Sequence, residues 1–440
     1  MIDFSVEPEF KQKLDWMNAF VREECERMDL LFPRSSDMYD MANSKARALI
    51  RPLQEKVKAQ GLWGCHLGPD LGGPGYGQVK LALMNEIIGR SSWAPTIFGT
   101  QAPDTGNAEI LALYGTSEQK QKYLGPLMRG EIVSCFSMTE PQAGADPKEF
   151  ECSAWREGEE WVIDGYKWFS SNARYAKFLI VMAVTNPDNK PHERMSMLLV
   201  DAGTPGIEII RNSKLMNDSP DPADDTGTHA YMRYNMVRVP LDAMLGGPGE
   251  GFKVAQARLG GGRVHHAMRT VGVCQRAIDM MLERAVSRRT QGKMFSEHQF
   301  IQGMIADSIV ELEQFRLLVL KTAWIIDNEP HGAARPWISM CKVQLGKVYH
   351  DIVQRAVHLH GSLGASGETP LAKMWMGIPS LSVADGPTEV HKVQVAKHFL
   401  KKAAPAPGVF PTDHNPTRLA AAQAWLAEQE AGQASSGRAA

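Results

Sequence analysis

The spacing of apolar residues changes twice along this chain of 440 residues, so one kind of secondary structure cannot bury them all. From about Glu9 to Arg129 they recur at helical spacing, as in Leu14, Met17 and Val21 and again in Leu81, Met84, Ile87 and Ile88, with Gly/Pro-rich breaks between. Between about Glu131 and Leu245 short β-rich runs take over, among them Phe178 to Val184, Met195 to Val200 and Met236 to Pro240. From about Gly251 to Lys402 the helical period returns, as in Ile305, Ile309, Leu312 and Phe315. The pattern predicts a helical domain over 1–130, a β-domain over 131–245, a helix bundle over 246–402 and a loose tail over 403–440 with a short helix near Ala420 to Gln429. The break from Gly68 to Gly77 reads as a rigid exposed loop.

The bulk numbers exclude several classes of protein. With 48 Lys+Arg against 50 Asp+Glu the net charge is −2, which supplies no overall basic field for a nucleic acid. The six cysteines are scattered without a C-x-x-C pair, so reduced thiols are expected and no metal knuckle is. The N-terminus is acidic, lacks the basic and apolar regions of a signal peptide, and no window holds roughly 18 uninterrupted apolar residues. A soluble, cytoplasmic protein is expected.

One stretch carries most of the functional information. Cys135 to Asp146 runs from β-type residues into the turn Thr139-Glu140-Pro141, then into small residues that allow close backbone approach to a bound group. Together with four further segments in order, it resembles the acyl-CoA dehydrogenases. The resemblance covers roughly residues 1 to 402 and implies the acyl-CoA dehydrogenase fold: an N-terminal α-helical domain, a middle β-barrel or sandwich domain and a C-terminal four-helix bundle. Its Asp-Gly-Pro-x-Glu-Val-His segment is closest to the subgroup of animal enzymes fused behind a phosphotransferase-like domain, none of which fits within this chain.

The resemblance implies FAD as cofactor and α,β-dehydrogenation of an acyl-CoA thioester to a trans-2-enoyl-CoA, a base taking the α-proton while a hydride goes to flavin N5. The base position falls on Asp385, where the family more often has Glu, one methylene longer. Asp385 could instead cap the helix that follows, and Glu389 is the competing carboxylate. The N–H at or next to Asp385, including Gly386, is implied to polarise the thioester carbonyl. Arg263, read as opening a helix after Gly260-Gly261-Gly262, is implied to lie near CoA, as is Ala145.

For the flavin the resemblance implies Phe136, Met138 and Thr139 at the ring, Gly144 and Ala145 at the end of that loop, Phe169 as the stacked aromatic and Ser171 as the hydroxyl. Arg288, Thr290, His298 and Gln299 match residues that hold the FAD diphosphate of a neighbouring subunit; planar guanidinium suits a diphosphate because it pairs with two oxygens at once. His358 and Ser362 replace Gln and Gly of another FAD motif, and Pro387, Thr388 and Glu389 fall where the family touches the adenosine half. His265 and His266 are adjacent and point apart on a helix, which argues against a shared metal.

The implied partners are an acyl-CoA substrate, an electron-transferring flavoprotein and further copies of the chain in a homo-dimer or homo-tetramer, with neither nucleic acid nor membrane. Two alternatives remain: an oxidase passing electrons to O2, as in the acyl-CoA oxidases and the Asp-based nitroalkane oxidases, and a non-enzymatic flavin- or DNA-binding homologue. The polar insert from Asn217 to Gly227 reads as a solvated loop.

Overall fold

The computed structural model describes residues 2–216, 218, 227–330 and 332–436. Two compact units divide after Gln394. Most of the polar insert lies outside the described residues.

The first unit begins with helices whose ends follow local chemistry. Pro8–Phe20 starts on proline, which needs no amide partner at a first turn, and Ser44–Ala59 is capped by Asn43, whose side chain accepts from the Ala46 N–H at 3.1 Å. Gly77–Ile88 and Asp104–Tyr114 pack on the bundle.

The middle of the chain is an eight-stranded sheet: β1 (Ser134–Ser137), β2 (Ser153–Glu157), β3 (Glu160–Ser171), β4 (Phe178–Val184), β5 (Met195–Asp201), β6 (Ile207–Ser213), β7 (His229–Pro240) and β8 (Met244–Leu245). The sheet folds over itself, since β2 pairs with both β3 and β4 while β1 also bridges those two strands. All of β4 is buried because its two faces serve different cores. Phe178, Ile180 and Met182 pack with Ile110, Leu111 and Val254, whereas Leu179, Val181 and Ala183 pack with Met232, Tyr234 and Val237. This double burial fixes β4 and, through parallel pairing, the neighbouring β1 with Phe136.

Four helices make the bundle: the long helix Gly251–Ser287, Gln299–Asn328, Arg335–His360 and Leu371–Val383. Arg316 joins Glu86 at 2.7 Å and Arg355 joins Glu311 at 2.8 Å, tying Gln299–Asn328 to its neighbours. The long helix runs unbroken through Gly260-Gly261-Gly262, so Arg263 lies inside it and does not open it. Packing on both sides holds the glycine turn helical against its propensity. The tail helix is likewise longer than expected, Asn415–Ser436. All six cysteines are buried and free, and among the described residues no helix is long and apolar enough to cross a membrane.

Candidate active site

Leu371–Val383 ends at a sharp bend, and Thr388–Leu400 begins three residues after Asp385. Asp385 has φ +57° and Gly386 φ +107°, both in the region where a Cβ is unwelcome, so Asp385 keeps this conformation only under external restraint. Three side chains supply it, Lys342 and His391 buried and Arg263 half-buried. The Arg263 Nε donates to the Asp385 carbonyl at 2.8 Å, and the Lys342 Nζ donates to the carbonyls of Leu381 and Ala384 at 2.7 and 2.8 Å. The third, His391, lies beneath Gly386, with its Nδ1 3.3 Å from the Ser339 hydroxyl.

The Asp385 carboxylate turns onto the long helix. Its Oδ2 stands 3.5 Å from the His266 Nε2, and burial drives His266 down to about 4, so this neighbour stays neutral near pH 7. Oδ2 also lies 2.9 Å from where a Cβ on Gly262 would sit. The preceding Gly261 faces Glu109 in the same way, 2.8 Å from its Oε2. The glycine run therefore admits two carboxylates at successive helical positions, about 100° apart, with the Arg258 guanidinium one turn earlier feeling both.

Burial pushes Glu109 up from its ordinary 4.5 to about 7, offset in part by Arg258. A carboxyl raised on folding holds its proton longer in the native state, so it erodes stability as pH rises from about 4.5 to about 7. Glu109→Gln is neutral throughout. Its stability relative to the parent is expected to increase across that interval and level off above it, as read by urea unfolding at pH 5 and pH 8.

Facing this cluster is a wall from the β-domain. Phe136 pairs with Ser171 across β1 and β3, and the Trp168 N–H donates to the Thr139 carbonyl at 2.8 Å, which brings Thr139 beside Phe169. Phe169 has φ +51°, is 42% exposed and stacks on Trp168 at 4.9 Å. An exposed aromatic ring on strained backbone, bordered by the half-buried Thr139 and Ser171, fits a flat ligand with a polar edge such as an isoalloxazine. The Arg258 guanidinium lies 3.9 Å over the Phe136 ring, which links the wall to the Asp385 cluster, and its Nε donates to the Asn107 side chain at 2.9 Å. Behind the wall, the fully buried Lys167 joins Glu140 at 2.7 Å and donates to the Met138 carbonyl at 2.8 Å. Gly144 and Ala145 follow on an exposed turn.

The structure thus brings together Asp385, Gly386, Pro387 and Arg263, and separately Phe136, Met138, Thr139, Phe169 and Ser171. It does not bring Arg288, Thr290, His298 and Gln299 to them. From His266 to Arg288 is 22 residues of continuous helix and its cap, about 33 Å. The hairpin of Arg289–Thr290 with Lys293–Met294 sits at that far end, with His298 3.4 Å from the Thr290 carbonyl. His358 and Ser362 are exposed at the close of Arg335–His360, about 24 Å along that helix from Lys342. Thr388 begins its helix and Glu389 is exposed. No side chain of Asp385 caps that helix; its carboxylate is engaged with the long helix instead. Among the described residues no group of His, Cys, Asp and Glu is placed to hold a metal.

Sequence reasoning missed Glu109, Arg258, His266 and Lys342 as members of the cluster. A signal existed for Lys342, a lysine between apolar positions on the inward face of a bundle helix. The others depend on which helix packs against which, and no local pattern carries that.

Three family models match the chain in order: "Acyl-CoA dehydrogenase, N-terminal domain" over 8–131, "middle domain" over 135–220 and "C-terminal domain" over 249–400. "Acyl-CoA dehydrogenase family member 11" of Rattus norvegicus is 42% identical over 360 residues, covering 81% of this chain and 45% of that protein. The chain therefore spans about half the length of the animal relative. "Probable acyl-CoA dehydrogenase FadE2" of Mycobacterium tuberculosis is 39% identical over 365 residues, 82% of this chain and 88% of that one. Among solved structures, a candidate acyl-CoA dehydrogenase from Mycobacterium abscessus superposes with TM-score 0.81 at 35% identity, covering 91% of this chain and all of that one. A glutaryl-coenzyme A dehydrogenase bound to glutaryl-CoA gives 0.75 at 25% identity, over 91% and 97%.

Proposed function

The chain belongs to the acyl-CoA dehydrogenase family, and from that premise we propose that it oxidises an acyl-CoA thioester to the trans-2-enoyl-CoA with Asp385 as the α-proton base. The observation that carries this reading is the Asp385 carboxylate, held at φ +57° against the long helix and linked through Arg258 to the Phe136 and Phe169 wall. FAD, when bound, accepts the β-hydrogen as hydride. Phe169, Thr139 and Ser171 would hold its ring, and Phe136 with Arg258 would close the pocket between ring and base.

Asp385 takes the α-proton on its carboxylate. His266, neutral beside Oδ2 because burial drives it down to about 4, is a weak rival for that proton. The Gly386 N–H is free to face the thioester oxygen because φ +107° turns that peptide out of any helix. The shorter side chain of Asp, compared with Glu, is matched by Gly262, which lets the carboxylate lie directly on the long helix.

We further propose that Arg288, Thr290, His298, Gln299, His358 and Ser362 serve the FAD of a second copy in a homo-dimer or homo-tetramer, since they lie too far along the bundle to share a cofactor with Asp385. An electron-transferring flavoprotein is the proposed acceptor, and the reaction would serve fatty acid β-oxidation.

The test is a visible spectrum of the purified protein followed by anaerobic addition of acyl-CoAs from short to very long. Bleaching by one chain class supports the reading. Bleaching by nitroalkanes alone, or a protein that takes up no FAD, overturns it. On the same assay Gly262→Ala is expected to slow bleaching by about 10²-fold, because its Cβ would displace the carboxylate, with little loss of stability since Ala favours helix.

A further inference from the structure

We propose that Lys342 is a positioning residue for the base, its buried ammonium and the neighbouring Gly346 clamping the main chain of residues 381–384 so that Asp385 points at the long helix. The inference rests on Asp385 being the base.

Lys342 is wholly buried, which for lysine requires a specific reward. Among the described residues it has no carboxylate within salt-bridge distance; its two hydrogen bonds go to the main-chain carbonyls of Leu381 and Ala384. Those belong to the last turn of Leu371–Val383 and its cap, where carbonyls lack helical partners and the helix dipole is negative, so a cation there is favoured on both counts. Asp385 and Arg263 are the charged groups it feels, and burial lowers it to about 8, so it remains largely charged at pH 7.

A second contact comes one turn later on the same helix. A Cβ on Gly346 would lie 2.5 Å from the Ser382 hydroxyl, so the helix Arg335–His360 meets the segment at two points before Asp385. Arg263 grips the next carbonyl from the opposite side. A segment fixed at 381, 382, 384 and 385 leaves Asp385 little choice of backbone angle, which is what its left-handed conformation requires. The Lys342 and Gly346 contacts end on the Leu381 and Ala384 carbonyls and on Ser382, so the clamp acts through the direction of the carboxylate.

The test compares wild type, Lys342→Met, Lys342→Gln and Gly346→Ala, each loaded with FAD, by anaerobic stopped-flow bleaching with protiated and α-deuterated acyl-CoA and by amide hydrogen exchange over 381–391. Lys342→Met and Gly346→Ala are expected to keep their FAD and half-saturating substrate concentration, to bleach about 10²-fold more slowly and to show a larger α-deuterium isotope effect. Exchange over 381–391 should quicken in Lys342→Met, and Lys342→Gln, which keeps two amide donors, should recover much of the rate. Wild-type bleaching in Lys342→Met overturns the clamp. Equal slowing in the Met and Gln variants with unchanged exchange also overturns it and assigns the effect to charge. Should Lys342→Met not fold, Gly346→Ala decides, because it retains the lysine and its added methyl favours helix. If no acyl-CoA bleaches the wild type, the base reading fails, while the exchange comparison still judges the clamp.

Discussion

Asp385→Asn is expected to yield a yellow protein, with FAD content equal to wild type, whose flavin is bleached by the preferred acyl-CoA at least about 10³-fold more slowly. The amide keeps the shape of the carboxylate and removes only its ability to take a proton. The restraints on the segment end on main-chain atoms of Leu381, Ala384 and Asp385, so they survive the change. Binding of enoyl-CoA product, read as a perturbed flavin spectrum, should persist. Rapid bleaching would remove Asp385 from the base role and direct attention to Glu109, the other carboxylate on the glycine run, ahead of the exposed Glu389. A variant that loses FAD would mean that the segment had moved, and Gly262→Ala would then be the cleaner probe.

Lys167→Met is expected to destabilise the protein by about 3–5 kcal/mol, the cost of leaving a buried carboxylate without its cation. Glu140 and Lys167 are both inside, and Glu140 also accepts from the Glu151 and Cys152 N–H groups at 2.7 and 3.1 Å and from the Gln142 side chain at 2.6 Å. That one carboxylate closes the loop from Met138 to Cys152, so the loss should reach the ring-facing residues at its start. Urea unfolding should show the drop in midpoint, and the purified variant should carry less FAD while Asp385 is untouched. A midpoint within experimental error of wild type would mean that the pair is not a dominant restraint on the loop.

The proposed base and ring-facing residues could be singled out from sequence because they lie in contiguous segments: the Thr139-Glu140-Pro141 turn, the Trp168-Phe169 pair before Ser170 and Ser171, and Asp385-Gly386-Pro387. The change of period located the sheet between two helical regions for the same reason, since alternation and helical spacing are local properties. The glycine run was misread because three glycines in sequence look like a break, and only the partners, Glu109 and Asp385, explain why they sit inside a helix. Lys342, His266 and Arg258 were illegible as a group: they come from two helices, and nothing in either helix alone says which carbonyl or carboxylate stands opposite. Arg288 and His298 are implied by the resemblance alone to meet a diphosphate, and their distance from Asp385 is a property of helix length.

Gly260-Gly261-Gly262 also limits how robust this protein can be made. Replacing a mid-helix glycine with alanine ordinarily gains about 1 kcal/mol, and three in a row on a helix of 37 residues would be the first place to look when raising heat tolerance. Here Gly261 and Gly262 are excluded, because each added methyl would crowd a carboxylate, that of Glu109 or of Asp385. Only Gly260, with nothing within 4 Å of its absent Cβ, is open to improvement, so thermal hardening must be sought elsewhere in the chain.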